Sequence, residues 1–266
     1  MQLSRYKALL FDLDKTLTDM KQEVTPATIQ ALSTLSQRGF KIGLCTGRHF
    51  ATLKKRILSH FAPESTHVVS GGSQVITSGG RVLWQELIPY DLALDIAKQL
   101  DDDQTTIYFQ TRDQIYGNKT ACQRWHLTPI LMAEKPKSIA DLSHFPDSGV
   151  PIIVVHDINP AQIKFLKNLT QANVKIMSYF AGHPYADIIA SGVTKVTGIS
   201  YWCQVNGVKP EEIIGFGDSE NDEEFLTHIG YAVAMGNAVD SVKKIADEVI
   251  GSCDEDGVAR WVEQNI

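Results

Sequence analysis

The sequence predicts an α/β fold in which a parallel sheet is interrupted by a second segment of α+β character. Short apolar runs alternate with amphipathic helical stretches near both ends of the chain, as in βαβ units. Between residues 81 and 185 this alternation gives way to a pattern typical of antiparallel strands and separate helices. The chain has 266 residues and is 43% hydrophobic, which is enough for one large domain or two smaller ones.

The amino-terminal part of the chain carries the signals of a βαβ unit. A strand is expected over residues 6–12, and Thr25 with Pro26 predicts the cap and first turn of a helix. Gly39 stands where that helix would end, because glycine accepts the left-handed backbone of a C-terminal cap. The elements expected next are a strand at 40–45, a helix at 50–58 and a short strand at 68–69.

The middle of the chain is predicted to be an inserted domain. Its expected elements are a helix at 90–100, an antiparallel pair at 106–110 and 113–116, a strand at 151–156, a helix at 161–169 and a strand at 174–180. After the insertion, further strands are expected at 212–217 and from residue 231. We therefore expect a discontinuous core domain at 1–81 and 186–266, with the inserted domain at 82–185.

Composition argues against several classes of function. A formal net charge of −6 disfavours nucleic acid or an anionic membrane surface as a partner. The chain shows no secretory signal and no apolar run near the length of about 20 residues that spans a bilayer. Four scattered cysteines form no CxxC pair, so we expect a cytoplasmic protein with reduced thiols. The oligomeric state is left open.

The most informative segment is an apolar run at residues 8–11 that leads into Asp12, Asp14 and Thr16. Side chains alternate along a strand, so the two carboxylates would leave the same side of it. Held that close, they repel each other unless a hard cation lies between them or one of them is protonated. Either condition indicates a metal-binding or catalytic site. The structural alternative is a simple acidic strand end.

Three further segments place polar residues near the ends of apolar runs. They are Thr46-Gly47-Arg48, Lys195, and the acidic turn Gly217-Asp218-Ser219-Glu220-Asn221-Asp222. Because ligands gather beyond the carboxyl ends of parallel strands, Thr46 is expected to converge on Asp12 and Asp14. The acidic turn offers the oxygen ligands of a magnesium half-site.

Together the four segments resemble the motifs of the haloacid dehalogenase (HAD) superfamily, in its Cof-type sugar-phosphatase-like branch. They occur in the family's order and span essentially the whole chain. The resemblance implies a Rossmann-like parallel-sheet core with an inserted α+β cap of the C2B kind. It also implies a Mg²⁺-dependent phosphatase that acts on a small phosphorylated metabolite through an aspartyl phosphate.

The resemblance also implies a role for each motif residue. Asp12 would be the nucleophile and Asp14 the general acid and base. The Mg²⁺ site would be formed by Asp12, Asp14 through its backbone carbonyl, Asp218 and Asp222, the last, like Asn221, shaping the site or binding through water. The substrate-binding residues would be Thr46, Gly47, Arg48, Lys195 and Asn221.

Three of these residues have a structural alternative, and for Arg48 it is an ordinary surface charge. Thr46 is also a good N-cap for a following helix, and an isolated Lys195 would usually be a solvated surface lysine. Three positions depart from the family pattern: Lys15 and Val196 stand where glycine is common, and Ser70-Gly71-Gly72-Ser73 replaces Asn-Gly-Ala. At the last of these, backbone amides of the glycines are expected to replace the missing side-chain amide.

The residues leave two other functions open. A phosphomutase or phosphotransferase would use the same nucleophile with an acceptor other than water. A phosphometabolite sensor would bind its ligand without turnover. The physiological substrate is not specified by the sequence, although contacts with its leaving group are expected from cap loops at 112–119 and 181–185.

Overall fold

The structure is a computed structural model that describes residues 3–111, 114–125, 135–141, 148–178 and 184–266. The strands are β1 Ala8–Phe11, β2 Lys41–Leu44, β3 Thr66–Val69, β4 Gln74–Thr77, β5 Val82–Gln85, β6 Ile88–Pro89, β7 Thr106–Gln110, β8 Ile115–Gly117, β9 Lys137–Ser138, β10 Gly149–Val150, β11 Ile152–His156, β12 Ala172–Ser178, β13 Pro184–Ala190, β14 Ile213–Gly217, β15 Tyr231–Ala234 and β16 Glu248–Val249. The helices are α1 Pro26–Gln37, α2 Phe50–Leu53, α3 Tyr90–Leu100, α4 Lys119–Arg124, α5 Pro160–Lys167, α6 Lys195–Asn206, α7 Glu223–Leu226, α8 Asp240–Ile245 and α9 Gly257–Asn265.

One compact unit comprises Met1–Gly47, Lys54–Trp84 and Lys195–Ile266. Its main sheet has the strand order β16-β15-β14-β1-β2, and its strands are parallel. Central strands β1 and β14 are buried at every residue, which explains why both read as unbroken apolar runs. The sheet therefore brings the carboxyl ends of β1, β2 and β14 side by side.

The first crossover helix, α1, begins and ends where the sequence predicts. The Thr25 hydroxyl accepts a hydrogen bond from the amide of Thr28, and Pro26 occupies the first turn, where its missing N–H costs nothing. Gly39 follows the helix with φ +85°, a left-handed conformation that other residues rarely adopt.

The helix predicted at 50–58 is much shorter in the structure. Helix α2 ends at Leu53, and the chain continues through turns to a short helical turn at Leu58–His60. Leu53, Ile57 and Leu58 are all buried. Their spacing is that of the apolar face of a helix, but here successive turns bury them. The prediction was wrong because burial alone does not distinguish these two arrangements.

The short strand predicted at 68–69 forms as β3, but not as another member of the main sheet. It pairs with β4 in antiparallel orientation and belongs to the three-stranded sheet β3-β4-β5. An isolated parallel bridge between Cys45 and Val68 links it to the segment that follows β2.

The second compact unit comprises Arg48–Leu53 and Gln85–Thr194. Its six-stranded sheet has the order β12-β13-β11-β7-β8-β9, and its strands pair in antiparallel fashion except for β8 with β9. Helix α3 spans the predicted residues, and the expected pairing of β7 with β8 is present. This unit has the α+β character predicted for the middle of the chain.

The last of the boundaries between the two units along the chain falls after Thr194. The predicted core segment starts instead at residue 186, inside strand β13, which pairs with β11 and β12 of the second unit. That these units are a core domain and a cap domain stays a prediction. The cap loops predicted at 112–119 and 181–185 lie partly outside the described residues. Among the described residues, no helix is both long and apolar enough to cross a membrane.

Candidate active site

The carboxyl ends of three parallel strands bring the predicted motif segments of the first unit together. Asp12 follows β1, Thr46 lies two residues beyond β2, and Asp218 follows β14. The amide of Asp12 donates to the carbonyl of Phe216 at 2.8 Å, so the ladder between β1 and β14 continues to the first motif residue. Asp12 is 5% exposed and Asp218 is 6% exposed, which makes both carboxylates part of a buried cluster.

Asp14 does not lie on the strand, contrary to the argument from side-chain alternation. Strand β1 ends at Phe11, and residues 13–17 form a tight turn instead. Within this turn Lys15 adopts the left-handed conformation, with φ +60° and ψ 15°. Glycine adopts this conformation at no steric cost, whereas another residue loses about 1–2 kcal/mol. The departure at Lys15 therefore falls on a position where the backbone favours glycine.

Lys195 is the first residue of α6 and is only 2% exposed. Its ammonium group donates to Oδ1 of Asp222 at 2.6 Å, to Oδ1 of Asp12 at 2.9 Å, and to Oδ1 of Asn221 at 3.3 Å. The surface-lysine alternative is therefore excluded. Because α6 begins at Lys195, Val196 occupies an ordinary helical position and requires no glycine.

Asp222 organises the acidic turn with both of its carboxylate oxygens. Oδ1 accepts from Lys195, whereas Oδ2 accepts from the backbone amides of Asp218 at 3.0 Å and Ser219 at 3.1 Å. A Cβ on Gly217 would lie 2.9 Å from Oδ2 of Asp222, so glycine is needed where the carboxylate packs against the strand end. The Ser219 hydroxyl adds a hydrogen bond to Asn221 at 3.0 Å.

The pKa values of the cluster reflect a deficit of positive charge. Burial and repulsion from Asp222 raise the pKa of Asp12 well above its ordinary value, despite the attraction of Lys195. Burial and the same repulsion raise the pKa of Asp218 to about 7. Burial alone would lower the pKa of Lys195, but Asp12 and Asp222 outweigh it and hold that pKa above its ordinary value. These directions agree because Lys195, with Lys15 acting on Asp218, does not offset the burial and mutual repulsion of the carboxylates.

A divalent cation fits this donor set. Asp12, Asp218 and Asp222 each offer an oxygen, and the three oxygens lie within 4.8 Å of one another. When the three carboxylates are ionised, Lys195 balances one charge and two negative charges remain. Carboxylate oxygens are the ligands that hard cations such as Mg²⁺ prefer. The side chain of Asp14 is not part of this triad.

Thr46 is 1% exposed and is not the N-cap of a helix, because α2 begins four residues later and His49 occupies the capping position. The Nδ1 atom of His49 accepts from the amide of Ala51 at 3.2 Å. The alternative reading of Thr46 as a helix cap is thus wrong. Gly47 follows it in the first unit, whereas Arg48 belongs to the second.

The turn at 70–72, which lies where the family pattern has Asn-Gly-Ala, has a strongly bent backbone. Ser70, Gly71 and Gly72 have φ values of +54°, +67° and +108°. The amide of Gly71 donates to the carbonyl of Thr46 at 3.1 Å. The expectation that the glycine amides replace the missing side-chain amide is therefore wrong for Gly71, whose amide already has a partner.

Three residues of the site were not assigned roles from the sequence. The hydroxyl of Thr16 donates to Oδ1 of Asp218 at 3.4 Å, Ser219 bonds within the acidic turn, and Asn237 donates to the carbonyl of Lys15 at 2.9 Å. Thr16 and Ser219 lie inside motif segments, so their proximity to Asp14 and Asp218 in the sequence could have indicated that they belong to the site. Asn237 had only the weak signal of a Gly-Asn turn after a strand.

Known proteins resemble this chain over nearly its full length. Haloacid dehalogenase-like hydrolases match residues 9–262. A pyridoxal phosphate phosphatase from Escherichia coli is 24% identical, with 98% of each chain covered. A 5-amino-6-(5-phospho-D-ribitylamino)uracil phosphatase from Bacillus subtilis is 26% identical, with 96% of each chain covered.

A solved structure of a subclass IIB sugar phosphatase gives the same result for the fold. It superposes with a TM-score of 0.76 at 26% identity, covering 97% of this chain and 98% of the other. The predicted α/β fold and the resemblance stated from the motifs are both confirmed. The chain belongs to the haloacid dehalogenase-like hydrolases and is an enzyme of their phosphatase branch.

Proposed function

We propose that this chain is a Mg²⁺-dependent phosphatase that hydrolyses small phosphate monoesters through an aspartyl phosphate on Asp12. The single observation that carries the proposal is the 2.9 Å contact between Nζ of Lys195 and Oδ1 of Asp12, inside a buried cluster of carboxylates. A buried lysine on a buried carboxylate orients it and opposes the rise in its pKa that burial and Asp222 cause. Both effects favour nucleophilic attack.

In the first half-reaction a carboxylate oxygen of Asp12 attacks phosphorus, and the bond between phosphorus and the leaving oxygen breaks. Asp14 gives its proton to that oxygen, so the product departs as an alcohol. Asp14 follows the nucleophile by two residues in the tight turn and is only partly buried, which suits a group that exchanges protons. The difficult displacement is thereby divided into two easier steps.

In the second half-reaction water attacks the phosphorus atom of the aspartyl phosphate. Asp14, now a carboxylate, takes a proton from the water, and the bond between phosphorus and the Asp12 oxygen breaks. Inorganic phosphate leaves and Asp12 returns as a carboxylate. The acid form of Asp14 is restored at the same time, so protons balance over the cycle.

Positive charge and hydrogen-bond donors support both steps. Lys195 stabilises the charge shared by Asp12 and the phosphoryl group, and Thr46 donates its hydroxyl to a phosphoryl oxygen. Asp12 and Asp218 would hold Mg²⁺ with the Asp14 carbonyl, whereas Asp222 positions Lys195 and the acidic turn. When bound, Mg²⁺ neutralises charge on the phosphoryl oxygens. Gly47, Arg48 and Asn221 complete the proposed substrate-binding set.

A small phosphorylated metabolite is the proposed substrate. The named relatives act on a phosphorylated pyridine, a phosphorylated ribitylaminouracil and a sugar phosphate, so the phosphate ester is the feature common to their substrates. In this proposal the segment at 82–185 is the inserted cap, and it selects the part of the substrate that the phosphate-binding residues do not contact.

Phosphate release from a panel of sugar phosphates, nucleotides and vitamin-derived phosphates tests the proposal. Wild type, Asp12→Asn and the exposed control Asp95→Asn are compared with Mg²⁺ and with chelator. We expect release that needs metal and is lost in Asp12→Asn but not in Asp95→Asn. Added sugar and alcohol acceptors detect phosphotransfer. Binding without release by the wild type would overturn the proposal in favour of a sensor.

A further inference from the structure

Asn237 links the catalytic turn at residues 13–17 to the carboxyl-terminal part of the chain. Its Nδ2 donates to the carbonyl of Lys15 at 2.9 Å, and its Oδ1 accepts from the amide of Cys253 at 2.8 Å. Both halves of the side-chain amide are therefore used, each by the backbone of a different segment. This arrangement fixes the orientation of Asn237 and, through it, the direction of the Lys15 carbonyl.

The carbonyl that accepts from Asn237 belongs to Lys15, the residue with the unfavourable left-handed backbone conformation. Lys15 has φ +60°, whereas the preceding Asp14 has the extended values φ −71° and ψ 118°. A lysine stays in the left-handed region only when its surroundings over-determine that conformation. The hydrogen bond from Asn237 is a contact of this kind, because rotation of the peptide after Lys15 would break it.

The loop that carries Asn237 also supports the acidic turn. The amide of Val239 donates to the carbonyl of Asp218 at 2.9 Å, and the amide of Met235 donates to the carbonyl of Gly217 at 3.1 Å. Residues 235–239 thus contact both segments that carry the proposed metal ligands, the turn at 13–17 and the acidic turn at 217–222. A further link is the hydrogen bond from the Thr16 hydroxyl to Asp218.

We propose that Asn237 is a positioning residue, which holds Lys15 in its left-handed conformation and thereby places Asp14 and Thr16 for catalysis. The proposal rests on the function proposed above. Asn237 touches neither the reacting atoms nor the carboxylate triad, so its effect passes through the backbone of residues 14–16. Losing the hydrogen bond frees the Lys15 peptide to rotate, which displaces the acid and base more than it weakens substrate binding.

Replacement of Asn237 by alanine gives the first test. We expect kcat to fall by about tenfold or more, with KM changed by less than about threefold, because a small displacement of a catalytic group costs rate before it costs affinity. Asn265→Ala is the matched control, since Asn265 also donates from its amide to a backbone carbonyl, that of Trp261, at 2.9 Å. The control should keep the wild-type kcat.

Rescue by glycine separates positioning from a general structural role. Lys15→Gly removes the steric cost of the left-handed conformation, so the turn depends less on Asn237. In the Lys15→Gly background, Asn237→Ala should therefore lower kcat by no more than about threefold relative to Lys15→Gly alone, a non-additive result. An equal loss in both backgrounds would overturn the link between Asn237 and Lys15.

A readout other than activity keeps this inference separate from the proposed function. The Mg²⁺ concentration needed to raise Tm by a fixed amount above its value in chelator should increase at least about threefold in Asn237→Ala, because the displaced turn supplies the Asp14 carbonyl as a proposed metal ligand. It should not change in Asn265→Ala.

If the wild type released no phosphate, the proposed hydrolysis would fail, whereas a changed Mg²⁺ dependence in Asn237→Ala would still support positioning. Unchanged Mg²⁺ dependence and unchanged kcat would overturn the inference.

Discussion

Nζ of Lys195 lies 2.6 Å from Oδ1 of Asp222, and the side chains are 2% and 0% exposed. The other oxygen of Asp222 accepts two backbone amides, so the carboxylate is fixed before it meets the lysine. Lys195 in turn contacts the proposed nucleophile, Asp12. The acidic turn therefore controls the position of the one cation that touches Asp12 in the described part of the chain.

Removal of that cation should damage both activity and stability. In Lys195→Met we expect phosphate release to fall by at least about 100-fold, because a preorganised positive charge is lost at the reacting group. In chelator the free energy of unfolding should fall by about 3–5 kcal/mol, since the buried carboxylates lose their partner. Steady-state rates and urea unfolding measure the two effects.

The matched control for this change is Lys98→Met, at an exposed ion pair with Asp95 in helix α3. Such pairs contribute about 0–1 kcal/mol, so the control should leave rate and stability close to those of the wild type. A Lys195→Met protein that kept the wild-type rate would contradict the role given to the lysine.

Metal binding should stabilise the protein through Asp218. Mg²⁺ should raise Tm, by the equivalent of about 2.7 kcal/mol at a hundredfold excess over Kd. Asp218→Asn should abolish most of that rise. In chelator at pH 8 the same variant should be at least as stable as wild type, because the pKa of Asp218 is raised to about 7 and its charge is unfavourable there.

Thermal unfolding of both proteins, with Mg²⁺ and with chelator, measures this pair of opposite effects. Asp95→Asn serves as the control for loss of an exposed carboxylate, and it should respond to Mg²⁺ as the wild type does. A full Mg²⁺ response in Asp218→Asn would show that Asp218 does not hold the ion.

Local signals were sufficient for much of the fold. The Thr25 cap, Pro26 and Gly39 act within a few residues, so the ends of α1 could be predicted from short-range chemistry. Likewise, apolar runs followed by carboxylates located the ends of β1 and β14 because parallel strands are buried on both faces. The fold was therefore predictable wherever propensity and burial agree locally.

The site was less predictable where it depends on contacts between distant segments. Asn237 and Lys15 are separated by 222 residues, and no periodicity connects them. The conformation of Asp14 also depends on a turn that strand alternation does not describe. The prediction of a helix at 50–58 was wrong for a related reason, since turns can bury the same apolar residues that a helix would bury. Tertiary contacts decided each of these cases.

The hydroxyl of Thr46 should contribute to substrate binding if it donates to the phosphoryl group. Thr46→Val keeps the shape of the side chain but removes the donor, so we expect kcat/KM to fall by about tenfold, the loss of one hydrogen bond to a charged group. Thr46→Ser keeps the hydroxyl and should stay within about threefold of wild type. Steady-state kinetics with one phosphate ester measure both variants, and equal losses would contradict the donor role.

A buried histidine should make the stability of the first unit depend on pH. Nδ1 of His67 accepts from the amide of Leu44 at 3.1 Å, so the ring proton lies on Nε2, which contacts the Ser78 hydroxyl at 2.8 Å. Burial lowers the pKa of His67 from 6.5 to about 3. The neutral ring thus belongs to the folded state, and protonation of Nδ1 would break the hydrogen bond to Leu44.

The sign of the pH effect follows from this difference. Above pH 6.5 His67 is neutral in both states and its contribution is fully present. As pH falls toward 3, the unfolded chain binds a proton that the folded chain does not. Urea unfolding should therefore show the His67 contribution to stability falling by about 1.4 kcal/mol per pH unit. The difference in unfolding free energy between wild type and His67→Gln should show this slope, whereas the difference between wild type and exposed His228→Gln should not. An unchanged slope in His67→Gln would mean that other groups cause the acid sensitivity, because glutamine does not titrate there.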